Sequence, residues 1–161
     1  TMNDVARAVG ISRPALYLVF ANKEALCREA TAMALDDKLF EIDAGLEELP
    51  TLAEKLRHVF EIWTVQSYEL VTRSPDAEEM LSGSFEFMTD VLEDASQRLS
   101  GRIATLIREA TTDPEALAPS PEARARLMLA SVHSFKTQAR DLEDMRSLVR
   151  DLVAVMTAGT D

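Results

Sequence analysis

Gly10 separates two short segments of helical periodicity, and the residues on either side of it leave the chain few ways to fold. Thr1 stands three residues before Asp4, a capping-box pattern with Asp in place of the usual Glu or Gln. Met2, Val5, Ala6 and Val9 then recur on one helical face. Gly10 follows, where a left-handed residue ends a helix at least cost. Ile11 is placed to fill the space between two helices. Ser12 caps a second helix, and Pro14 in its first turn forfeits no needed N–H bond. Leu16, Val19 and Phe20 point inward at i, i+3 and i+4. Asn22 caps a third helix that begins at Lys23.

Two helices joined by a short turn containing Gly make a helix-turn-helix. Such a unit lays its second helix in the major groove with that helix's first residues against base edges. The DNA-facing residues are then Arg13, Pro14, Ala15, Tyr17 and Leu18. Arg13 can reach a guanine edge or a phosphate, and Ala15 or Leu18 a thymine methyl. Pro14 and Ala15 are small enough for close approach. The hydroxyls of Thr1, Ser12 and Tyr17 suit phosphate contacts, as does Lys23 at a helix N-terminus. An ordinary core hairpin can also carry Gly at its turn. Arg13, Tyr17 and Lys23 around two helix N-termini favour DNA over that reading.

The runs Val5-Ala6, Val9-Gly10-Ile11-Ser12, Ala15 to Phe20 and Asn22-Lys23-Glu24-Ala25-Leu26 resemble the DNA-binding signature of the tetracycline-repressor (TetR) family. Pro14 and Ala15 stand where that family often has Gly and Thr, and Leu18 where it often has His or Tyr. These are base-facing positions, so the operator sequence does not carry over. The resemblance implies a further helix and a basic arm before Thr1, so that the first helix of the DNA-binding domain is missing from this sequence. It also implies a dimer built from the last two helices, a small-molecule pocket among the central ones, and no enzymatic activity or cofactor.

The net charge of the 161 residues is −11, which by itself argues against a nucleic-acid partner. The distribution partly answers this: residues 1–30 carry a net +1 and the remainder −12. Phosphate binding rests on several cationic contacts, and a dimer doubles those available. Few Gly and Pro and abundant Ala, Leu, Glu and Arg predict an all-α chain. No stretch is apolar enough to span a bilayer, and one cysteine, Cys27, suits a reducing cytoplasm.

The expected organisation is a partial helix-turn-helix over 1–22, a connecting helix over 23–46 and a ligand-binding and dimerisation domain over 47–161. On the connecting helix Leu26, Ala30, Met33, Ala34 and Phe40 form the predicted buried side. Thr51 with Glu54 opens a helix to about Arg73. Ser74-Pro75 caps a short helix over 76–81, and Ser84 opens a long one that Gly101 interrupts at a bend or close contact. Residues 111–121 read as a loop. Helices follow from about Glu122 to Ala139 and, capped by Asp141, to about Ala158.

Phe60, Trp63, Tyr68, Met80, Phe85, Phe87 and Met88 are the candidate pocket residues, and they suit an apolar or aromatic effector. Leu142, Met145, Val149, Leu152 and Met156 recur at coiled-coil spacing. With the small stripe Leu127, Ala130, Ser131 and Ser134, they are the candidate homodimer face. A symmetric dimer would read a near-palindromic double-stranded operator.

Two other classes compete. A carboxylate-metal bundle enzyme needs Glu-x-x-His pairs, but Lys55 and Ala130 precede His58 and His133 by three; His58 and Glu61 merely share a face. A helical interaction protein with an inactive DNA-binding unit would not require Arg13, Tyr17 and Lys23.

Overall fold

Side-chain caps mark where most of the helices begin. The computed structural model describes residues 1–73 and 86–160, and every regular element among them is helical. Helix α1 spans Met2–Ala8, with the full Thr1/Asp4 capping box in place. Helix α2 spans Arg13–Val19 behind Ser12, and α3 spans Lys23–Gly45 behind Asn22. Thr51 and Glu54 close the second capping box, at the start of α4, Leu52–Phe60. The helix expected to run unbroken to Arg73 instead passes through a π-helical turn, Glu61–Val65, before α5, Gln66–Arg73. After a 3₁₀ turn at Glu86–Met88 come α6 (Thr89–Ala110), α7 (Pro121–Gln138) and α8 (Leu142–Met156). The predicted cap at Ser74, the helix over 76–81 and the start at Ser84 lie outside the described residues.

Two apolar clusters result. The smaller joins Met2, Ala6 and Leu16 with the half-buried Val5, Phe20 and Leu26, fastening α1 and α2 to the start of α3. The larger is built from Leu39 and Ile42 of α3, Leu56, Val59 and Phe60 of α4, Leu99, Ile103 and Ile107 of α6, Met128 of α7 and Met145, Val149 and Val153 of α8.

The connecting helix turns a different side inward from the one expected. Phe40 is 76% exposed and Met33 is exposed too, while Leu39 and Ile42 are buried. Apolar residues are scattered around α3, so spacing alone supports more than one stripe, and packing against α4 and α6 selects among them. Gly101 marks no close approach, since the space a Cβ would occupy is open.

Ion pairs fix α3 against α6. Arg28 places Nη1 and Nη2 each 2.6 Å from the two oxygens of Asp90 and also bonds the Phe87 carbonyl. Arg98 reaches Asp36 at 2.6 Å and Arg102 reaches Asp43 at 2.8 Å. The partners advance together along both helices, so α3 and α6 run parallel. The Arg28 hydrogen bonds hold the Asp90 carboxyl down at about 2. Each exposed pair adds little alone, and the three together mark the register of α3 on α6. An open cleft of about 280 Å³ runs beside them, lined by Leu35, Asp36, Val91, Asp94 and Arg98 among others.

Where α3 ends, His58 Nε2 lies 3.3 Å from the Ile42 carbonyl and its ring lies over Gly45. A methyl group on Gly45 would fall inside the imidazole. Gly45→Ala is therefore expected to displace His58 and cost about 1–3 kcal/mol as an overpacking change, read as a lower midpoint in urea. An unchanged midpoint would show that the ring moves aside freely.

Candidate nucleic-acid interface

The turn between α1 and α2 is fixed by backbone geometry. Gly10 has φ of 73°, the left-handed conformation its position requires. The Ile11 N–H donates to the Ala6 carbonyl at 3.0 Å and the Gly10 N–H to the Arg7 carbonyl at 3.3 Å. This is the paired bonding of a Schellman stop. Ser12 Oγ then accepts from the Ala15 N–H at 3.2 Å, which starts α2 two residues after the turn.

Leu16 is the buried anchor of α2, and the opposite side carries Arg13, Pro14, Tyr17 and Leu18, all exposed. These four lie at i, i+1, i+4 and i+5, so they form one continuous strip. Leu18, 88% exposed, is the most exposed large apolar side chain among the described residues. Ala15 is half-buried beside the strip. Arg13 and Tyr17 are coupled: the guanidinium lies 5.3 Å from the ring centroid, and Nη2 donates to the Tyr17 hydroxyl at 3.5 Å. Their i, i+4 spacing was the available signal for this contact. Among the described residues neither Arg13 nor Lys23 pairs with a carboxylate, so both cations remain available to an outside anion.

Three expectations need correction. The Thr1 hydroxyl donates to Asp4 Oδ2 at 2.6 Å, so its proton is committed to the capping box and offers no phosphate contact. Val9 and Ile11 are exposed, and Val19 is 70% exposed, although all three were expected to face inward. Val9 is the C-cap of α1 and Ile11 lies in the turn, beyond the regular helix on which a stripe can be projected. Val19 ends α2 where no described element packs over it. Arg28, one of the four cations behind the net +1 of residues 1–30, is spent on Asp90; the partners are 62 residues apart, beyond any local pattern.

The other expected sites are placed as follows. Phe60 is wholly enclosed in the core, and Tyr68 is buried with its hydroxyl donating to the Ala139 carbonyl at 3.0 Å. Met88 is buried and its sulfur accepts from the Thr31 hydroxyl at 3.3 Å. Trp63 and Phe87 are half-buried; Met80 and Phe85 lie outside the described residues. None of these residues lines the cleft between α3 and α6.

On α7, Leu127, Ala130 and Ser134 are exposed and Ser131 is half-buried. On α8, Met145 and Val149 are buried in the chain's own core, with Leu142, Leu152 and Met156 packed partly against it. The spacing along α8 thus marks an inward seam in this chain, while Val155 is 71% exposed. A helical period shows which residues share a face but not what that face meets. His58 and Glu61 also have separate partners, the Ile42 carbonyl and Arg146.

The family model described as bacterial regulatory proteins, tetR family, matches residues 1–30. No curated protein matches the chain. No helix among the described residues is long and apolar enough to cross a membrane.

Proposed function

We propose that this chain, a tetR-family DNA-binding transcriptional regulator by the match over its first thirty residues, is a cytoplasmic repressor released from its operator by a small molecule. The observation that carries this reading is the exposed strip Arg13, Pro14, Tyr17 and Leu18 on a capped helix behind a Schellman turn. Residues 1–22 read DNA, 23–46 relay, and 47–161 bind the effector and dimerise. Two copies associate through the exposed sides of α7 and α8, around Leu127, Ala130, Ser134 and Val155. They present two recognition helices to a near-palindrome.

The relay follows from the ion pairs. Since α6 is paired with α3 at Asp90, Arg98 and Arg102, a ligand that shifts α6 biases the position of α3. The recognition helices are then respaced. The effector needs only to prefer one arrangement over the other.

The test is selection from a randomised double-stranded library at moderate salt, with retained fragments sequenced. The expected result is one near-palindromic site with half-sites about one helical turn apart or somewhat more. Enrichment of isolated half-sites would overturn the dimer. No enrichment by folded protein would overturn the regulator.

A further inference from the structure

Leu56, Trp63 and Leu70 stand seven residues apart, a spacing that keeps three side chains on one face of an unbroken α-helix. Yet Leu56 is fully buried, Trp63 half-buried and Leu70 65% exposed. The π turn Glu61–Val65 lies between them. There the Gln66 N–H reaches back five residues to the Glu61 carbonyl, where an α-helix would use that of Ile62. The wider turn rotates α5 so that Tyr68 is buried instead, its hydroxyl donating to the Ala139 carbonyl at 3.0 Å. Tyr68 and Leu70 are two residues apart and so lie on nearly opposite sides of α5. One register of this helix buries the tyrosine; the other buries the leucine.

The present register carries a defect. Thr64, within the turn, is fully buried, and its hydroxyl has no partner among the described residues. Beyond the turn, Ser67 Oγ donates to the Trp63 carbonyl at 2.6 Å and Thr72 Oγ1 to the Tyr68 carbonyl at 2.9 Å, each four residues back. Such bonds use the carbonyl that α-helical spacing brings beside a hydroxyl, and Thr64 lies where that spacing is broken. A buried unpaired hydroxyl is costly. Two contacts from other helices favour the turn against that cost. One is the Tyr68 bond to Ala139. The other is Lys38 of α3, whose Nζ donates to the Ser67 hydroxyl at 2.5 Å and to the Ile62 carbonyl, which Gln66 passes over, at 3.3 Å.

We propose that α5 is a two-register switch that the connecting helix holds through Lys38. In the second register the π turn becomes α-helix, and α5 rotates by about 100° and advances by about 1.5 Å, one residue's step. Leu70 joins the face of Leu56 and Trp63, and Thr64 gains the Phe60 carbonyl four residues back. The Tyr68 and Lys38 bonds break. The switch stands on this geometry alone; its tie to DNA recognition rests on the regulatory reading above.

Trp63, the chain's single tryptophan, lies in the turn itself, so 5-fluorotryptophan places one fluorine NMR probe there. Tyr68→Phe and Lys38→Met should each raise the ratio of second to first register about fivefold, the effect of one net hydrogen bond. Their double variant is expected to show both signals, or a shifted mean where exchange is fast. Adding Leu70→Gln should lower the ratio again by about fivefold or more, because only the second register buries that side chain. A helix with one register predicts no effect there, since Leu70 is exposed. A parent-like spectrum in the double variant, or one unmoved by Leu70→Gln, would overturn the switch. Tyr68→Phe keeps the ring, so it carries the same test with Leu70→Gln should Lys38→Met fail to fold.

Saturating operator should change the ratio in the double variant, because coupling between two sites acts both ways. A ratio that operator leaves unmoved overturns the tie to DNA and leaves the switch. Failure of the parent to bind any operator overturns the regulator and leaves the switch.

Discussion

Arg13→Ala is expected to weaken operator binding by about five- to 150-fold per half-site, the effect of losing one bidentate base contact worth about 1–3 kcal/mol. Arg13 is the first residue of α2, where a recognition helix meets base edges. Among the described residues no carboxylate competes for it, and its stack on Tyr17 holds the guanidinium over the strip before DNA arrives. Part of the ordering cost is thereby met in advance. The loss should be concentrated at one base position, so that substituted operators become nearly equivalent there. Lys23→Ala, which removes a cation at the N-terminus of α3, should weaken all sites alike and reduce the salt slope by about one. Both side chains are exposed, so neither change should move the melting temperature appreciably. Anisotropy titrations with the selected operator and its single-base variants, at several salt concentrations, check both patterns. Parent-like affinity for Arg13→Ala would remove α2 from the base-reading role. Tyr17→Phe should fall between, because it keeps the ring under Arg13 and loses only the hydroxyl.

The parts of this interface that were legible in the sequence are those set by neighbours in the chain. Thr1 with Asp4, Gly10, Ser12 and Asn22 each act within about four residues, and all four features stand where they were read. Thr51 with Glu54 is of the same kind. The orientation of longer helices depends on what they meet, and there the reading was weaker. Met33 and Phe40 were expected inside and are exposed, because α3 carries competing apolar stripes. Met145 and Val149 were assigned outward and are buried, because a seam suited to a partner is equally suited to the chain's own core. The Arg–Asp rungs join residues about sixty apart, as with Arg28 and Asp90. Charged residues are so common in this chain that no local pattern singles those pairs out. The π turn is likewise silent in the sequence: Glu61 to Val65 continues the helical spacing on either side of it.

The Arg–Asp rungs and the Lys38 contacts lie on one helix. Asp36 and Asp43 face α6, whereas Lys38 faces the π turn and α5. One helix is therefore gripped from two sides by polar contacts while Leu39 and Ile42 hold it by apolar packing. Polar contacts at an accessible surface can be exchanged for others at modest cost. Buried apolar contacts cannot, since cores are close-packed and do not deform gradually. Under the proposed function, a ligand that alters the polar grip would reset α3 about its apolar anchors, and the small cluster of Met2, Ala6 and Leu16 would carry α2 along with it.

Arg124→Met is expected to lower stability by about 3 kcal/mol, the sum of several lost charge-assisted bonds less what water restores. For a chain of this size that is a fall of about 6–12 °C in melting temperature. Arg124 is 6% exposed and has no acidic partner among the described residues. Its guanidinium serves backbone carbonyls instead: Met156 at 2.5 Å, Pro119 at 3.2 Å, Ala158 at 3.3 Å and Ala118 at 3.5 Å. Met156 is the last residue of α8 and Ala158 lies just past its end, where carbonyls lack intrahelical partners and the helix dipole favours a cation. Ala118 and Pro119 belong to the segment leading into α7. One side chain therefore ties the start of α7 to the finish of α8, and its loss leaves acceptors on both segments unpaired. Met matches the apolar stem, so the effect isolates the guanidinium. Arg124→Lys should recover only a fraction, because a single ammonium cannot span carbonyls on two segments. Arg126, exposed two residues along α7 and without a partner among the described residues, supplies the contrast. Arg126→Met should stay within about 0.5 kcal/mol of the parent. Urea midpoints and thermal melts of the three variants decide the matter. An Arg124→Met protein as stable as Arg126→Met would mean that water or a neighbouring group satisfies those carbonyls, and that α7 and α8 are held by Met128, Met145 and Val149 alone.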